Sequence, residues 1–187
     1  MVNRPRAASG FTLLELMITI VIMALLLLAA MPFTGAWVDG TRQMRARSNL
    51  IEAVGHARAL AMRNPEAVAS GEPVAAVLYQ ADEKALCVVS RASGAWPATT
   101  CLAAGKSCAD AGADKAADGV SWLGCISNPG ADLALKAASV DFHCAAYDSR
   151  GLQRDVADLS SNACASPDQA SVSITVGSQE GIDVSLL

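Results

Sequence analysis

Hydrophobic positions along the chain fall into three regimes. Residues 16–38 form an unbroken run of 23 residues with no charge. At 1.5 Å rise per residue, a helix of that length is enough to cross the ~30 Å hydrocarbon core of a bilayer. From Thr41 to Arg63 the pattern becomes periodic, with apolar residues at Ala46, Leu50, Val54, Ala57 and Ala61 and with Ile51 and Leu60 widening the stripe. That is the 3.6-residue period of an amphipathic helix. Asn64-Pro65 ends it, because the residue before a proline is pushed out of the α region. Pro32, Gly35 and Gly40 are soft points between the two helical halves.

After Pro65 the period changes to short β-prone runs. Residues 73–79 and 86–90, joined through Ala81-Asp82-Glu83-Lys84, read as a hairpin. Residues 140–147 read as one strand ending in the turn Asp148-Ser149-Arg150-Gly151. Residues 172–176 and 182–186 flank a Gly-bounded turn at 177–181 as a terminal hairpin. Between Ser93 and Pro129 the chain reads as loop, rich in Ala, Gly, Ser and Asp and interrupted by Trp96 and Trp122. There is no internal repeat.

The entry to the apolar run is Gly10-Phe11-Thr12-Leu13-Leu14-Glu15, preceded by Arg4 and Arg6. A secretory signal is one reading, since Leu28-Ala29-Ala30 offers a small-residue cleavage site. Against it, the run exceeds a ~7–15 residue signal core, and such a core has no use for a glutamate at its start. A carboxylate at mid-membrane costs on the order of 2.5–3.5 kcal/mol, less near a helix end, so Glu15 calls for a cationic partner or for snorkelling to the headgroups. Within one helix Phe11 and Glu15 are i,i+4 neighbours, and the macrodipole favours an acid in the first turn.

The basic leader, Gly10, Phe11, Thr12, Leu13, Leu14, Glu15 and the apolar helix together resemble the class III signal of type IV pilins and type II secretion pseudopilins. That resemblance implies a prepilin peptidase that cuts between Gly10 and Phe11 and methylates the new Phe11 amine. It gives Glu15 a partner, the Phe11 ammonium of a neighbouring subunit, and Pro32 falls where many pilins carry a helix-breaking proline. The helix around Ala57-Arg58-Ala59-Leu60-Ala61 and the Tyr147-Asp148-Ser149-Arg150-Gly151 turn before a terminal strand pair resemble the GspH/FimT group of minor pilins and pseudopilins. The cysteine-bearing middle, from Cys87 to Cys125, departs from that pattern.

Charge narrows the function classes. The chain has 14 Lys+Arg and 18 Asp+Glu, a net charge of −4; loss of Arg4 and Arg6 with the leader leaves 12 against 18, or −6. Such acidity makes nucleic acid an improbable partner, because phosphate binding rests on Lys and Arg. The arginines at 42, 45, 47, 58 and 63 nonetheless cluster beyond the apolar run, with only Asp39 and Glu52 among them. Charge counting alone therefore leaves membrane orientation ambiguous, and the resemblance places the C-terminal part outside.

Cys87, Cys101, Cys108, Cys125, Cys144 and Cys164 all lie in the β-rich part. An even count outside the cytoplasm favours disulfides, and six cysteines allow 15 pairings that the sequence does not distinguish. Of these, bridges between chain neighbours, 87–101, 108–125 and 144–164, each join a strand edge or loop to the nearest partner and are the expected set. Alanine-rich and poor in aromatics, the head has only small side chains for a core, so bridges at ~2–4 kcal/mol each would matter. Zinc is the rival reading, weakened because no Cys-x-x-Cys occurs and His56 is far in sequence from His143 and Cys144. Neither histidine sits in a nucleophile or metal motif, and no phosphate loop or Gly-x-Ser-x-Gly is present.

The expectation is an α+β protein without cofactor or catalytic residues. Its segments are a leader (1–10), a transmembrane and assembly helix (11–38), an amphipathic helix (39–64) packed on an antiparallel β-sheet head, and that disulfide-bearing periplasmic head (65–187). The expected role is a minor pilin that primes or caps a type IV pilus. The alternatives are a type II secretion pseudopilin and, less favoured, a DNA-uptake pilin. Partners implied are prepilin peptidase, other pilins or pseudopilins, an inner-membrane assembly platform, and membrane lipid before assembly.

Overall fold

In the computed structural model the described residues are 10–108, 116–126, 132–156, 159 and 164–187, without the side chains of 30–34. The chain divides into two compact units, Met1–Val38 and Asp39–Leu187. Helix α1 is assigned over Leu13–Arg63, without a break at Pro32, Gly35 or Gly40. The soft points expected from those residues are therefore not visible as gaps in the helix. In the first unit every described side chain from Gly10 to Ala29 is exposed, so no part of the helix circumference is covered there.

In the second unit α1 buries Gln43, Ala46, Leu50, Ala53, Val54, Ala57 and Ala61. These recur in steps of three or four, apart from the adjacent pair 53–54, which is one face of a helix. Four of the seven are alanines, which let the helix approach the β-sheets closely. Ile51, expected to widen this stripe, is 45 % exposed, and Ala53 takes the buried place instead. The helix ends where expected but by a different device. Asn64 adopts a left-handed conformation (φ 40°), and its N–H donates to the Leu60 and Ala61 carbonyls in an αL-type cap. Its side-chain amide then exchanges two hydrogen bonds with the Val68 backbone, at 2.8 and 2.9 Å.

Nine strands follow: β1 Pro73–Gln80, β2 Ala85–Ser90, β3 Val120–Cys125, β4 Leu133–Ala137, β5 Val140–Asp141, β6 Cys144–Asp148, β7 Gln153–Arg154, β8 Ser171–Val176 and β9 Ile182–Ser185. They form two antiparallel sheets, ordered β3-β2-β1-β6-β7 and β5-β4-β8-β9. Strands β1, β2 and β6 are buried on both faces, which is why they read as continuous apolar runs rather than as alternation. On one face Ala75, Val77, Leu86, Val88, Ala145 and Tyr147 join the core that contains α1 and the inner residues of the second sheet. On the other, Ala76, Leu78, Cys87, Val89, Cys144 and Ala146 meet Ala98, Cys101, Leu102 and Leu159 from long loops.

Two segments differ from the expected pattern. Residues 140–147 are not one strand: β5 belongs to the second sheet and β6 to the first. The Phe142 N–H donates to Leu135 O in the second sheet (2.8 Å), and His143 O accepts from Tyr79 N in the first (2.7 Å). Two residues thus carry the chain between sheets without a turn signal. The supposed loop 93–129 contains β3, an edge strand that pairs with β2 from Ala85↔Cys125 to Val89↔Val120. Its glycine and serine, with only partial burial, mask the β signal.

Candidate assembly segment and disulfide-bridged head

Gly10, Phe11 and Thr12 precede the helix, so the Gly10–Phe11 peptide bond is non-helical and exposed, with Phe11 84 % accessible. A Cβ placed on Gly10 would meet no atom within 4 Å, so nothing in the fold itself demands glycine there. Thr12 is the N-cap. Its Oγ1 accepts from the Glu15 N–H at 3.2 Å, and its carbonyl accepts from Leu16 N. Thr12 and Glu15 have the spacing of a capping box, a signal present in the sequence but absorbed into the signal-peptide reading. The apolar side chains from Phe11 to Leu28 are half to four-fifths exposed. An apolar surface of this extent marks a contact with lipid or with other subunits.

The structure does not bring Phe11 and Glu15 together as helical i,i+4 neighbours, since Phe11 lies before the first turn. Glu15 is exposed on that first turn. The Pro32 side chain lies outside the described residues. Among the described residues, no helix is long and apolar enough to cross a membrane. That departs from the expected span over residues 16–38.

The head cysteines join as chain neighbours: Cys87 with Cys101, Cys108 with Cys125 and Cys144 with Cys164. The arrangement has a clear architectural purpose. Each bridge ties a strand of the five-stranded sheet to one of the loops that cover its outer face. The described parts of those loops contain little regular structure to hold them, so the covalent ties replace a strand ladder. Gln153 adds a polar tie beside Cys164, its amide donating to the Ala165 and Ser166 carbonyls at 2.9 Å each. Among the described residues no group of three or more His, Cys, Asp or Glu is placed to hold a metal ion.

Two further polar devices, not anticipated from sequence, fix the head. Gln43 is the buried polar residue on α1, and its amide donates to Ile174 O (2.8 Å) and Glu180 O (2.7 Å), pinning the β8–β9 hairpin to the helix. At the β6–β7 turn the Asp148 carboxylate is inaccessible. Its Oδ1 accepts from the Arg150 and Leu152 N–H groups, and its Oδ2 from the Arg154 guanidinium at 2.7 Å and Arg150 at 3.3 Å. Burial raises the pKa of this carboxyl, but the bonds from Arg154, Leu152 and Arg150 and the Arg154 charge outweigh it and hold the value below the usual range. The sequence shows this as a turn signal, and the structure shows it as an ion-paired turn with Gly151 at φ 75°.

Aromatic residues divide between core and edge. Burial, offset only in part by the Arg58 charge, raises the Tyr147 pKa, and its hydroxyl donates to Leu186 O at 3.0 Å. Trp122, on edge strand β3, donates from Nε1 to Glu52 Oε1 (3.1 Å) and stacks on His56 with ring centroids 5.7 Å apart. It borders a cavity of about 280 Å³ that also touches Leu60, Arg63 and Val88.

The family model for the prokaryotic N-terminal methylation motif matches residues 5–31. That match supports a type IV pilin-like protein and implies, in general terms, prepilin peptidase processing, membrane anchoring and pilin assembly. No curated protein and no solved structure matches the chain.

Proposed function

We propose that the chain is a minor pilin of a type IV pilus, of the GspH/FimT kind, that primes or caps filament assembly. Its role is structural rather than catalytic. The observation that carries the reading is the conjunction at the N-terminus. An exposed, non-helical Gly10–Phe11 bond leads into a Thr12-capped helix with Glu15 in its first turn and an apolar surface exposed all round. Cleavage there leaves the apolar helix on the mature chain, with Phe11 as its new amino terminus. In this reading 11–38 is held in the inner membrane before assembly, and the disulfide-bearing head faces the periplasm, where thiol oxidation is supported.

The Phe11 ammonium of one subunit would then be available to the Glu15 carboxylate of the next, the charge pair lowering the cost of an acid among apolar helices. Gene deletion is the test. Loss of surface pili and twitching with exoprotein secretion intact is expected, whereas retained pili with exoprotein trapped in the periplasm would overturn the pilus assignment in favour of a secretion pseudopilin.

A further inference from the structure

A cavity of about 280 Å³ lies between one flank of α1 and the β3 edge of the five-stranded sheet. His56, Ala59, Leu60 and Arg63 border it at positions i, i+3, i+4 and i+7, which is a single side of the helix. Val88 of β2 and Ser121 and Trp122 of β3 complete it. An irregularity in the sheet shapes this edge. The β2–β3 pairing passes from Val88↔Trp122 to Val89↔Val120, so Ser121 is the extra residue of a bulge, a local kink of the kind that re-aims side chains beside sites.

The lining combines apolar surface with one unanswered charge. Val88 is fully buried, and Leu60 and Trp122 pack partly buried against the core beneath α1. The indole is held in place by the bond from its Nε1 to Glu52 and by its stacking on His56. Ser121 uses its one hydroxyl donor on Val88 O at 3.0 Å. Glu52 does not line the cavity, and its Oε1 already accepts from Trp122 and faces His56 Nε2 at 3.8 Å. Arg63, by contrast, is exposed and makes no ion pair among the described residues. Its place in the last turn of α1 suits the helix dipole and leaves the guanidinium fork open to an incoming acid.

We propose that this cavity is a binding site for a small apolar carboxylate, a ligand with a body about the size of one ring and a single acidic group. Volume fixes the size, being just under the ~300–1,000 Å³ of pockets that take drug-sized molecules. The apolar lining selects the body, because burying such a ring removes its surface from water. Charge selects the head group. A planar carboxylate matches the guanidinium fork with two parallel hydrogen bonds and carries the one charge that a lone arginine answers. A phosphate, at about −1.5 to −2, would call for a second cation. Every lining residue lies outside 11–38, so the site does not depend on the assembly role proposed above.

The test follows the indole N–H resonances of the full chain, isotope-labelled at its three tryptophans, in detergent micelles. Phenylacetate is the probe, with phenylacetamide as its neutral isostere and acetate as the head group alone. Phenylacetate should move the Trp122 resonance saturably, with half-saturation at about 1 mM or below. It should bind about fivefold or more tightly than either control, the advantage a charge-assisted bond to Arg63 gives. Arg63→Gln should remove the preference for acid over amide, and Ala59→Phe should abolish binding by filling the cavity. Both substitutions are at exposed positions, and an unchanged Trp96 resonance reports that each variant is folded. A silent Trp122 resonance, equal binding of acid and amide, a response unaltered by either substitution, or a shift shared with Trp37 and Trp96 would each overturn the proposal. Where the acid binds, the peptide Gly-Gly-Phe identifies its source: tighter binding than phenylacetate points to a peptide's terminal carboxylate, weaker binding to a free acid.

Discussion

The six-membered ring of Trp122 occupies the space that a Cβ on Gly124 would need, with Cζ2 and Cζ3 each 3.0 Å from that position and Cη2 in overlap. Two residues apart on β3, they share one face of the strand, and the glycine is what lets the indole lie down against the sheet edge. From there the ring reaches Glu52 and His56 on α1.

Gly124→Ala should therefore lift the indole and break both of its links to the helix. The expected cost is about 1–3 kcal/mol, the range for overpacking, with a changed tryptophan emission. Gly55 makes the contrast: it lies on the exposed side of α1 with no atom within 4 Å of an added Cβ. Gly55→Ala should raise stability by about 0.5–1 kcal/mol through helix propensity. Denaturant melts of the two variants check both signs, and a neutral Gly124→Ala would remove the packing account of β3.

What the sequence allowed to be read follows the reach of each signal. The N-terminal methylation motif is linear and was legible, as were the helix end at Asn64 and both outer hairpins, whose turn residues are local. The passage from β5 to β6 was not, because Phe142 and His143 look like strand and only their long-range partners, Leu135 and Tyr79, show the change of sheet. Strand β3 was hidden for a similar reason: its stability comes from pairing with β2 and from the Cys108–Cys125 bridge more than from its own composition. Gln43 sits on the helix's buried face as an isolated polar residue, and no local pattern tells that two carbonyls 131 and 137 residues away await it.

Replacing Gln43 with leucine tests that last link. Leucine restores apolar character to the buried face but deprives Ile174 O and Glu180 O of their donor. The expected loss is about 1–3 kcal/mol, the cost of unsatisfied buried groups. Hydrogen exchange should show it as faster exchange in the β8–β9 hairpin than in β1 and β2. Uniform acceleration across both sheets would argue that Gln43 acts on the whole core instead of on the hairpin.

Asp148 gives a pH dependence with a definite sign. Its folded pKa lies below the ordinary 3.8, so the unfolded chain binds the proton more readily. The stability it contributes is full above about pH 4 and is lost as pH falls through the folded value. Asp148→Asn should therefore lower the melting temperature at neutral pH and flatten its decline below pH 4, the two proteins converging in acid. Parallel melting curves across pH 2–7 would sink the assignment.

Reduction should act unequally on the two sides of the five-stranded sheet. The core beneath α1 contains no bridge, whereas the opposite cluster contains Cys87, Cys101 and Cys144. Under a dithiol reductant the loops over that face should become protease-sensitive and six thiols titratable, with far-ultraviolet circular dichroism largely kept and thermal stability reduced; each bridge contributes ~2–4 kcal/mol. Before reduction no free thiol should be found. Proteolysis that begins in α1 would contradict this ordering.

The remaining prediction separates Thr12 from Glu15, which share the first turn but do different work. Thr12 caps the helix through the Glu15 N–H, a backbone bond that survives replacement of the Glu15 side chain. Thr12→Ala should cost about 1 kcal/mol of local helix stability and leave the charge in place. Glu15→Val keeps the cap and the length of the apolar helix, so the precursor should still enter the membrane and mature to methylated Phe11. What it loses is the carboxylate that the neighbour's Phe11 ammonium would meet, so the processed variant should accumulate in the membrane and be depleted from sheared filaments. Thr12→Ala should be incorporated nearly as wild type. Equal incorporation of Glu15→Val and wild type would dismiss the inter-subunit pair and leave Glu15 as a first-turn acid whose favourable partner is the helix dipole alone.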